Sequence, residues 1–335
     1  MEQIHIPKQD YRVLCLCYTY NQVKYIEDTL NGFAMQKTDF PFACLVVEDC
    51  STDGEQDAIK AWLERECDMS KAEYIDHELS NVILVPHKTN VSCTFAIYLL
   101  KRNLWKEPEL KETLVKPWRE HCEYEALCEG DDYWTSPFKL QKQSDFLDTH
   151  EKHSFCTHNY RFYYQDQDKY TEPKRKHSDL DFDTRLYLKY WPTQPLTAMY
   201  RSSAYPSKQE IDGYKYFRDN HLFYHLLQKG RGYYFNEIMG VYRKHGGGIY
   251  SGIEENKALW IDILAYLEIY KKFSFDKILR EKIIRLYANY IIRSNNMAHN
   301  KLLVSDIGFY GVVKACLLIY GHYAKHIFVK YESCI

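Results

Sequence analysis

The sequence predicts an α/β chain in which a mostly parallel sheet is flanked by helices and followed by a C-terminal helical appendage. Three observations predict it. Apolar runs of strand length alternate with segments of helical period over the first 150 residues. Two of those runs end in clusters of acidic residues, and from Glu254 onward the pattern is helical throughout.

In chain order, Val13-Leu14-Cys15-Leu16-Cys17 is the first buried strand. Tyr25, Ile26, Thr29, Leu30 and Phe33 follow at helical spacing, and Ala43 to Val47 is the second strand. Ile59, Trp62 and Leu63 lie on one face of the next helix. Val82 to Val85 is the third strand, and Phe95, Ala96, Leu99, Leu100 and Leu104 predict another helix. The fourth strand, Tyr124 to Leu127, runs into an acidic stretch. Ser136-Pro137 then starts a helix carrying Phe138, Leu140, Phe146 and Leu147. Strands alternating with helices imply parallel pairing, and ligands of such sheets bind beyond the carboxyl ends of the strands.

Residues 154–250 are less periodic. Ser154 to Tyr160 and Ala198 to Tyr200 read as strands, and Gln165 to Asp183 as a charged, solvated loop. Asp219 to Leu227 reads as a helix, with two further apolar runs at Tyr233 to Phe235 and Met239 to Tyr242. Breaks at Phe273-Ser274 and Asn295-Asn296 divide the tail into three helices. The expected domains are therefore 10–252 and 253–335.

Composition narrows the function. Lysine plus arginine number 44 against 46 aspartate plus glutamate, so bulk charge gives no reason to expect a nucleic-acid partner. The 31 tyrosines suit sugar- or base-stacking surfaces and equally a compositional bias of the genome. The cysteines number 11, an odd count without any Cys-x-x-Cys, and several lie in apolar strands. That pattern reads as buried, reduced thiols rather than a disulfide framework or a zinc site. The N-terminus lacks the apolar core of a signal peptide, and the run Gly311 to Gly321 is short and interrupted by Lys314. A cytoplasmic protein is expected.

Polar residues gather at the predicted strand ends. They are Thr19-Tyr20-Asn21 after the first, Glu48-Asp49 and Ser51 to Gly54 after the second, and Glu129-Gly130-Asp131-Asp132 after the fourth. A cap at Ser51 or Thr52 and a turn at Asp53-Gly54 explain part of the second group. They leave Glu48 and Asp49, which close an apolar strand, without an explanation. Three carboxylates within four positions raise one another's pKa unless something positive offsets them, and a hard divalent cation is the first candidate.

The segments YTYNQVKYIEDTL, VVEDCSTDG, ALCEGDDYWTSPFKLQKQ and GVYRKHGGG, in this order and spacing, resemble the family 2 glycosyltransferases of the GT-A fold, the bacterial surface-polysaccharide type above all. The resemblance covers residues 11–251 and rests on four separated motifs. It implies an inverting, metal-dependent transfer of a sugar from a nucleotide donor, usually a UDP-sugar, to an acceptor hydroxyl in polysaccharide, lipopolysaccharide or capsule biosynthesis. It further implies that Thr19, Tyr20, Asn21 and Asp49 hold the nucleoside, with Asp49 accepting from the uracil ring. Glu129, Asp131 and Asp132 would contact the ribose and hold Mn²⁺ or Mg²⁺, Asp219 would be the general base, and His245 would close over the diphosphate or metal. Glu129 and Glu48 depart from the family's commoner aspartates, and Arg218 before Asp219 departs from its frequent Glu or Gly.

Beside the resemblance, Arg243-Lys244-His245 ahead of three glycines suits a cationic lid over a diphosphate, or simply a basic mobile loop. Asp219 on spacing alone is a helix cap or first-turn acid. His158, His177 and His225 read as packed or surface histidines. Trp191 to Gln194 is the candidate acceptor wall, with Trp191 and Gln194 its foremost residues, facing a glycan or lipid-linked glycan. The aromatic, lysine-bearing stretch Ile307 to Tyr331 suits a peripheral membrane contact, a packed helix or a subunit interface. Two other readings compete. A sugar-1-phosphate nucleotidyltransferase would need a glycine-rich basic loop where Tyr18-Thr19-Tyr20-Asn21 stands. A catalytically inactive nucleotide-sugar-binding protein would keep the acidic cluster and lack a working base.

Overall fold

The computed structural model describes residues 10–171, 178–215, 217–247, 255–273, 276–294, 308, 311 and 313–320. In chain order the elements are β1 (Val13–Thr19), α1 (Ile26–Ala34), β2 (Phe42–Glu48), α2 (Glu55–Glu66), β3 (Glu73–Asp76), β4 (Ser80–Pro86), β5 (Cys93–Leu100) and α3 (Pro108–His121). They continue as β6 (Tyr124–Leu127), β7 (Tyr133–Trp134), α4 (Lys139–Thr149), β8 (His153–Tyr164), β9 (Lys169–Tyr170), β10 (Leu180–Phe182) and α5 (Thr184–Tyr190). The last are β11 (Met199–Arg201), α6 (Lys208–Ile211), α7 (Asp219–Lys229), β12 (Arg231–Lys244), α8 (Glu255–Lys272) and α9 (Lys277–Ser294). The expected α/β class is observed.

One sheet runs in the order β10-β12-β8-β11-β6-β1-β2-β5-β4-β3. Its centre, β6-β1-β2-β5, is parallel, and antiparallel pairs flank it at β11 and β4. Residues of β1 alternate between two cores. Val13, Cys15 and Cys17 pack with Ile26, Phe33 and Trp62 of α1 and α2. Leu14 and Leu16 pack with Leu114 and Trp118 of α3. Burial on both faces is why these strands read as unbroken apolar runs.

Several elements differ from expectation, among them β9 and β10, short strands within the stretch 165–183 expected to be a solvated loop. Cys93 to Leu100 is the strand β5, buried along its whole length and hydrogen-bonded to β2 on one side and β4 on the other. Apolar residues at all positions but Thr94 satisfy a helical template by accident, and burial on both faces decides for the strand. The helix α3 is unexpected, although its buried Leu114, Val115 and Trp118 recur at helical spacing, because Pro117 inside it reads as a helix breaker. The two apolar runs after α7 are one strand, β12, with register shifts at Phe235/Ile238 and Ile238/Gly240. Around Gly54, φ is 95°, and Asp53 Oδ1 accepts from Glu55 N at 3.1 Å; neither Ser51 nor Thr52 caps α2.

Two compact units form. The first comprises 1–183, 192–205 and 226–245, and the second 184–191, 206–225 and 246–335. The helical unit thus includes α5, α6 and the start of α7 besides the C-terminal helices, a division unlike a single cut at residue 252. Within it, α8 buries Ile263, Tyr266 and Ile269, and Trp260 packs on Tyr290 of α9 with ring centroids 5.1 Å apart. The expected break at Phe273 ends α8, whereas the one at Asn295-Asn296 lies outside the described residues. The same is true of His177 and of most of Ile307 to Tyr331, although 313–320 are helical. Among the described residues no helix is long and apolar enough to cross a membrane.

Candidate nucleotide and metal site

The acidic loop leaves β6 at the centre of the sheet, where a parallel strand ends and ligands have access. Potential ligand oxygens of Glu129, Asp131 and Asp132 lie within 4.8 Å of one another. Asp132 is 2% exposed. Its Oδ1 accepts from Arg243 N at 2.9 Å, while its Oδ2 is buried with no hydrogen-bond partner. Burial, then the charges of Asp131 and Glu129, push the Asp132 carboxyl well above the usual range, only partly opposed by the Arg243 amide. A buried carboxylate oxygen left unpaired is costly. A hard cation bound at roughly 2.0–2.6 Å per oxygen would satisfy it and relieve the repulsion within the cluster. The residues therefore fit Mn²⁺ or Mg²⁺.

The loop is held from several sides. Thr29 of α1, wholly buried, donates to Asp132 O at 2.6 Å and lies 3.1 Å from Gly130 O. A Cβ at Gly130 would stand 2.2 Å from Thr19 Oγ1 and 2.4 Å from Gln22 Oε1, so the loop approaches the β1 turn as closely as only glycine allows. Gly32 plays the same part on α1, where a Cβ would meet Trp134 N at 3.0 Å.

The turns after β1 and β2 are tied to each other. Asn21 occupies the left-handed region at φ 55°, which asparagine tolerates. Its N–H donates to Ser51 Oγ at 2.8 Å and its Oδ1 accepts from Thr52 N at 2.8 Å. Buried Glu55 joins the same turns, accepting from Thr19 Oγ1, from Gln22 N at 3.0 Å and from Ser51 Oγ at 2.8 Å. Burial raises the Glu55 carboxyl, and those three donors work against the shift. Glu48, unexplained in the sequence, is structural: it accepts from Ser51 N at 2.6 Å and from Gln56. Tyr20 stays 45% exposed beside this network.

Asp49 follows β2 and reaches α3. Its Oδ1 accepts from Leu104 N at 2.6 Å and its Oδ2 pairs with Lys111 Nζ at 2.5 Å. Lys111 also lies 5.9 Å from the ring of Trp105, an indole that is 64% exposed. The next residue, Cys50, holds φ 57°, a strained setting for a residue other than glycine.

Arg243 and Lys244 are the last residues of β12, in register with Tyr163 and Tyr164 of β8. They are strand residues, which corrects the expectation of a loop beginning at Arg243. The Arg243 guanidinium donates to Asp131 O at 2.9 Å, to Gln165 and to Asp28. It also lies 4.8, 5.1 and 5.5 Å from the ring centroids of Tyr25, Tyr133 and Tyr163. His245 follows the strand, with Nε2 3.0 Å from Asp131 Oδ2 and its ring 4.5 Å from that of Tyr25. Glu129, Asp131, Asp132, Arg243 and His245 thus come together from sequence positions more than 110 apart.

Asp219, Trp191 and Gln194 are placed otherwise. Asp219 is the first residue of α7, in the helical unit, and its Oδ1 accepts from Asn220 N at 2.9 Å. Burial around its carboxyl raises the pKa to about 6, with Asp262 adding and the Asn220 amide opposing. Trp191, also in the helical unit, has φ 48°, and its ring lies 5.1 Å from that of Tyr187, tilted by 33°. Gln194 belongs to the sheet unit, where its N–H and carbonyl both bond Thr197 Oγ1. Of the three histidines set aside in the sequence, His158 is wholly buried, and its Nδ1 lies 2.8 Å from Asn159 O. His225 lies 2.9 Å from Tyr214 OH.

No family model matches the chain. It is 31% identical over 245 residues to uncharacterized proteins of Mycobacterium tuberculosis and Mycobacterium bovis. The match takes in 72% of this chain and 62% of theirs, so the chain spans less than two thirds of these relatives' length. Among solved structures, it superposes on Staphylococcus aureus TarS with a TM-score of 0.53 at 16% identity. The fold is shared. The TarS structure with UDP matches over 88% of this chain and 78% of that one, and the structure with UDP-GlcNAc over 92% and 89%.

Proposed function

We propose that the chain is an inverting, metal-dependent glycosyltransferase of family 2 that moves a sugar from a nucleotide donor, a UDP-sugar, to a hydroxyl of a glycan or lipid-linked glycan. The observation that carries this reading is the acidic loop with its buried, unpaired Asp132 oxygen at the end of a central parallel strand. The fold shared with TarS, a protein crystallised with UDP and UDP-GlcNAc, supports the donor class.

In this reading Asp131 and Asp132 hold the cation with His245 beside them, and Glu129 faces the ribose. A bound cation would neutralise the charge that grows on the departing diphosphate. Asp49 and the Thr19-Tyr20-Asn21 turn hold the nucleoside. Each Asp49 oxygen keeps a lone pair beyond the one engaged by Leu104 N or Lys111, so it can still accept from a uracil N–H. Asp219 takes the proton of the acceptor hydroxyl as its oxygen bonds to the anomeric carbon and the bond to the diphosphate breaks. A carboxyl with a pKa of about 6 is ionised at neutral pH yet more basic than an ordinary aspartate, as a general base requires. The acceptor is proposed to pass Trp191 and Gln194, on the cytoplasmic face of surface-polysaccharide synthesis.

The test is release of free nucleotide from a panel of UDP-, GDP- and dTDP-sugars in Mn²⁺ or Mg²⁺, with and without glycan acceptors. Metal-dependent release from a UDP-sugar is expected. A protein that binds UDP and releases nothing from any donor would instead be a binding module.

A further inference from the structure

Arg243 is an unusual cation for the rim of a nucleotide site, because almost none of it is available. Its side chain is 5% exposed. Its main-chain N–H donates to Asp132 Oδ1 and its Nε to Asp131 O, both at 2.9 Å, so one residue grips two successive residues of the acidic loop. The terminal nitrogens of the guanidinium donate to Gln165 and pair with Asp28 of α1. Tyr25, Tyr133 and Tyr163 lie around it within cation–π distance. Tyr25 also packs on His245, which in turn reaches Asp131, so the contacts close into a ring of Arg243, Tyr25, His245 and Asp131.

We propose that Arg243, oriented by Asp28, is a positioning residue that sets the acidic loop for cation binding, and is not itself a ligand of the diphosphate. The proposal rests on the metal-site reading above. An arginine whose Nε and both terminal nitrogens donate to a main-chain carbonyl, an amide oxygen and a carboxylate is a strut with defined orientation. By anchoring the end of β12 on Asp131 O, the side chain holds in place the main-chain N–H that ties Asp132 Oδ1 and leaves Oδ2 for the cation. Lysine, a point charge on a flexible stem, cannot make the three contacts together. Outer residues that orient ligands typically change metal affinity by about 10–100-fold when lost.

The experiment measures binding of Mn²⁺ alone, by the loss of the free-ion spin-resonance signal, and of UDP in EDTA and in Mn²⁺. Wild type, Arg243→Gln, Arg243→Lys and Asp28→Asn are compared, with thermal unfolding in EDTA as the control. Arg243→Gln and Arg243→Lys are expected to weaken Mn²⁺ by about tenfold or more, while UDP binding in EDTA stays as in wild type. Asp28→Asn, at a half-exposed position that a polar side chain tolerates, is expected to weaken Mn²⁺ by a smaller factor even if the Arg243 variants fail to fold. Wild-type Mn²⁺ affinity in a folded Asp28→Asn protein would overturn the proposal. So would an Arg243→Gln protein that keeps Mn²⁺ and loses UDP in EDTA, since Arg243 would then be a diphosphate ligand. Wild type that fails to bind Mn²⁺ at all would refute the metal-site reading first, and the proposal with it.

Discussion

His245 Nε2 lies 3.0 Å from Asp131 Oδ2, and the imidazole packs on Tyr25 at 4.5 Å. The residue that follows the sheet's longest strand, β12, thus reaches back to the loop that follows β6. His245→Ala removes this link without touching the strand itself. Turnover is expected to fall with far-UV and thermal unfolding signals close to wild type, as steady-state kinetics beside a melting curve will show. Wild-type kinetics would mean that the histidine takes no part in turnover.

Gly130 offers a steric test. Because a Cβ there would stand 2.2 Å from Thr19 Oγ1, whose hydroxyl is anchored on Glu55, Gly130→Ala must displace either the acidic loop or the β1 turn. Overpacking of this kind costs about 1–3 kcal/mol. Chemical denaturation is expected to show that loss, and Mn²⁺-dependent UDP binding is expected to weaken with it. Unchanged binding in the variant would mean that the loop has room to move without consequence.

Asp219 separates a base from a helix cap. Asparagine keeps the shape and can accept from the Asn220 amide as aspartate does. Asp219→Asn is expected to lower transfer by about two to four powers of ten while UDP and metal affinity stay nearly unchanged. In wild type, kcat/KM is expected to rise with pH through about 6 and then level off. The sign for stability is opposite. The folded pKa lies above the unfolded value of 3.8, so the carboxyl's contribution is fully present below that value and is lost as pH rises through about 6. At pH 7.5 the Asn variant is therefore expected to be more stable by about 1–3 kcal/mol. Near-normal transfer by the folded variant would place the base elsewhere.

What the sequence revealed follows from what each residue reports on. Val13 to Cys17 and Ala43 to Val47 were legible because burial on both faces leaves an unbroken apolar run, and Glu129 to Asp132 because charge at such a strand's end needs a partner. The same rule failed at Cys93 to Leu100, where continuous apolarity matches a helix as readily as a strand. Arg243 is a different kind of failure. A basic residue before glycines looks like a loop, and nothing local shows that β8 extends to Tyr164 to pair with it or that Asp28 waits 215 residues away. Lys111 and Trp105 carry no signal, and Thr29 reads only as one residue of a helix face, since each acquires its place at the site from tertiary contact. Trp191 and Gln194, three residues apart, belong to different compact units.

The central claim is that the acidic loop binds nucleotide through a divalent cation, and calorimetric titration of UDP tests it most directly. The titration compares wild type with Asp132→Ala, each in Mn²⁺ and in EDTA. The account predicts tight binding only for wild type in Mn²⁺, with the other three combinations alike and weak, and Asp131→Ala between the extremes. Equal UDP affinity for wild type in Mn²⁺ and in EDTA would contradict it.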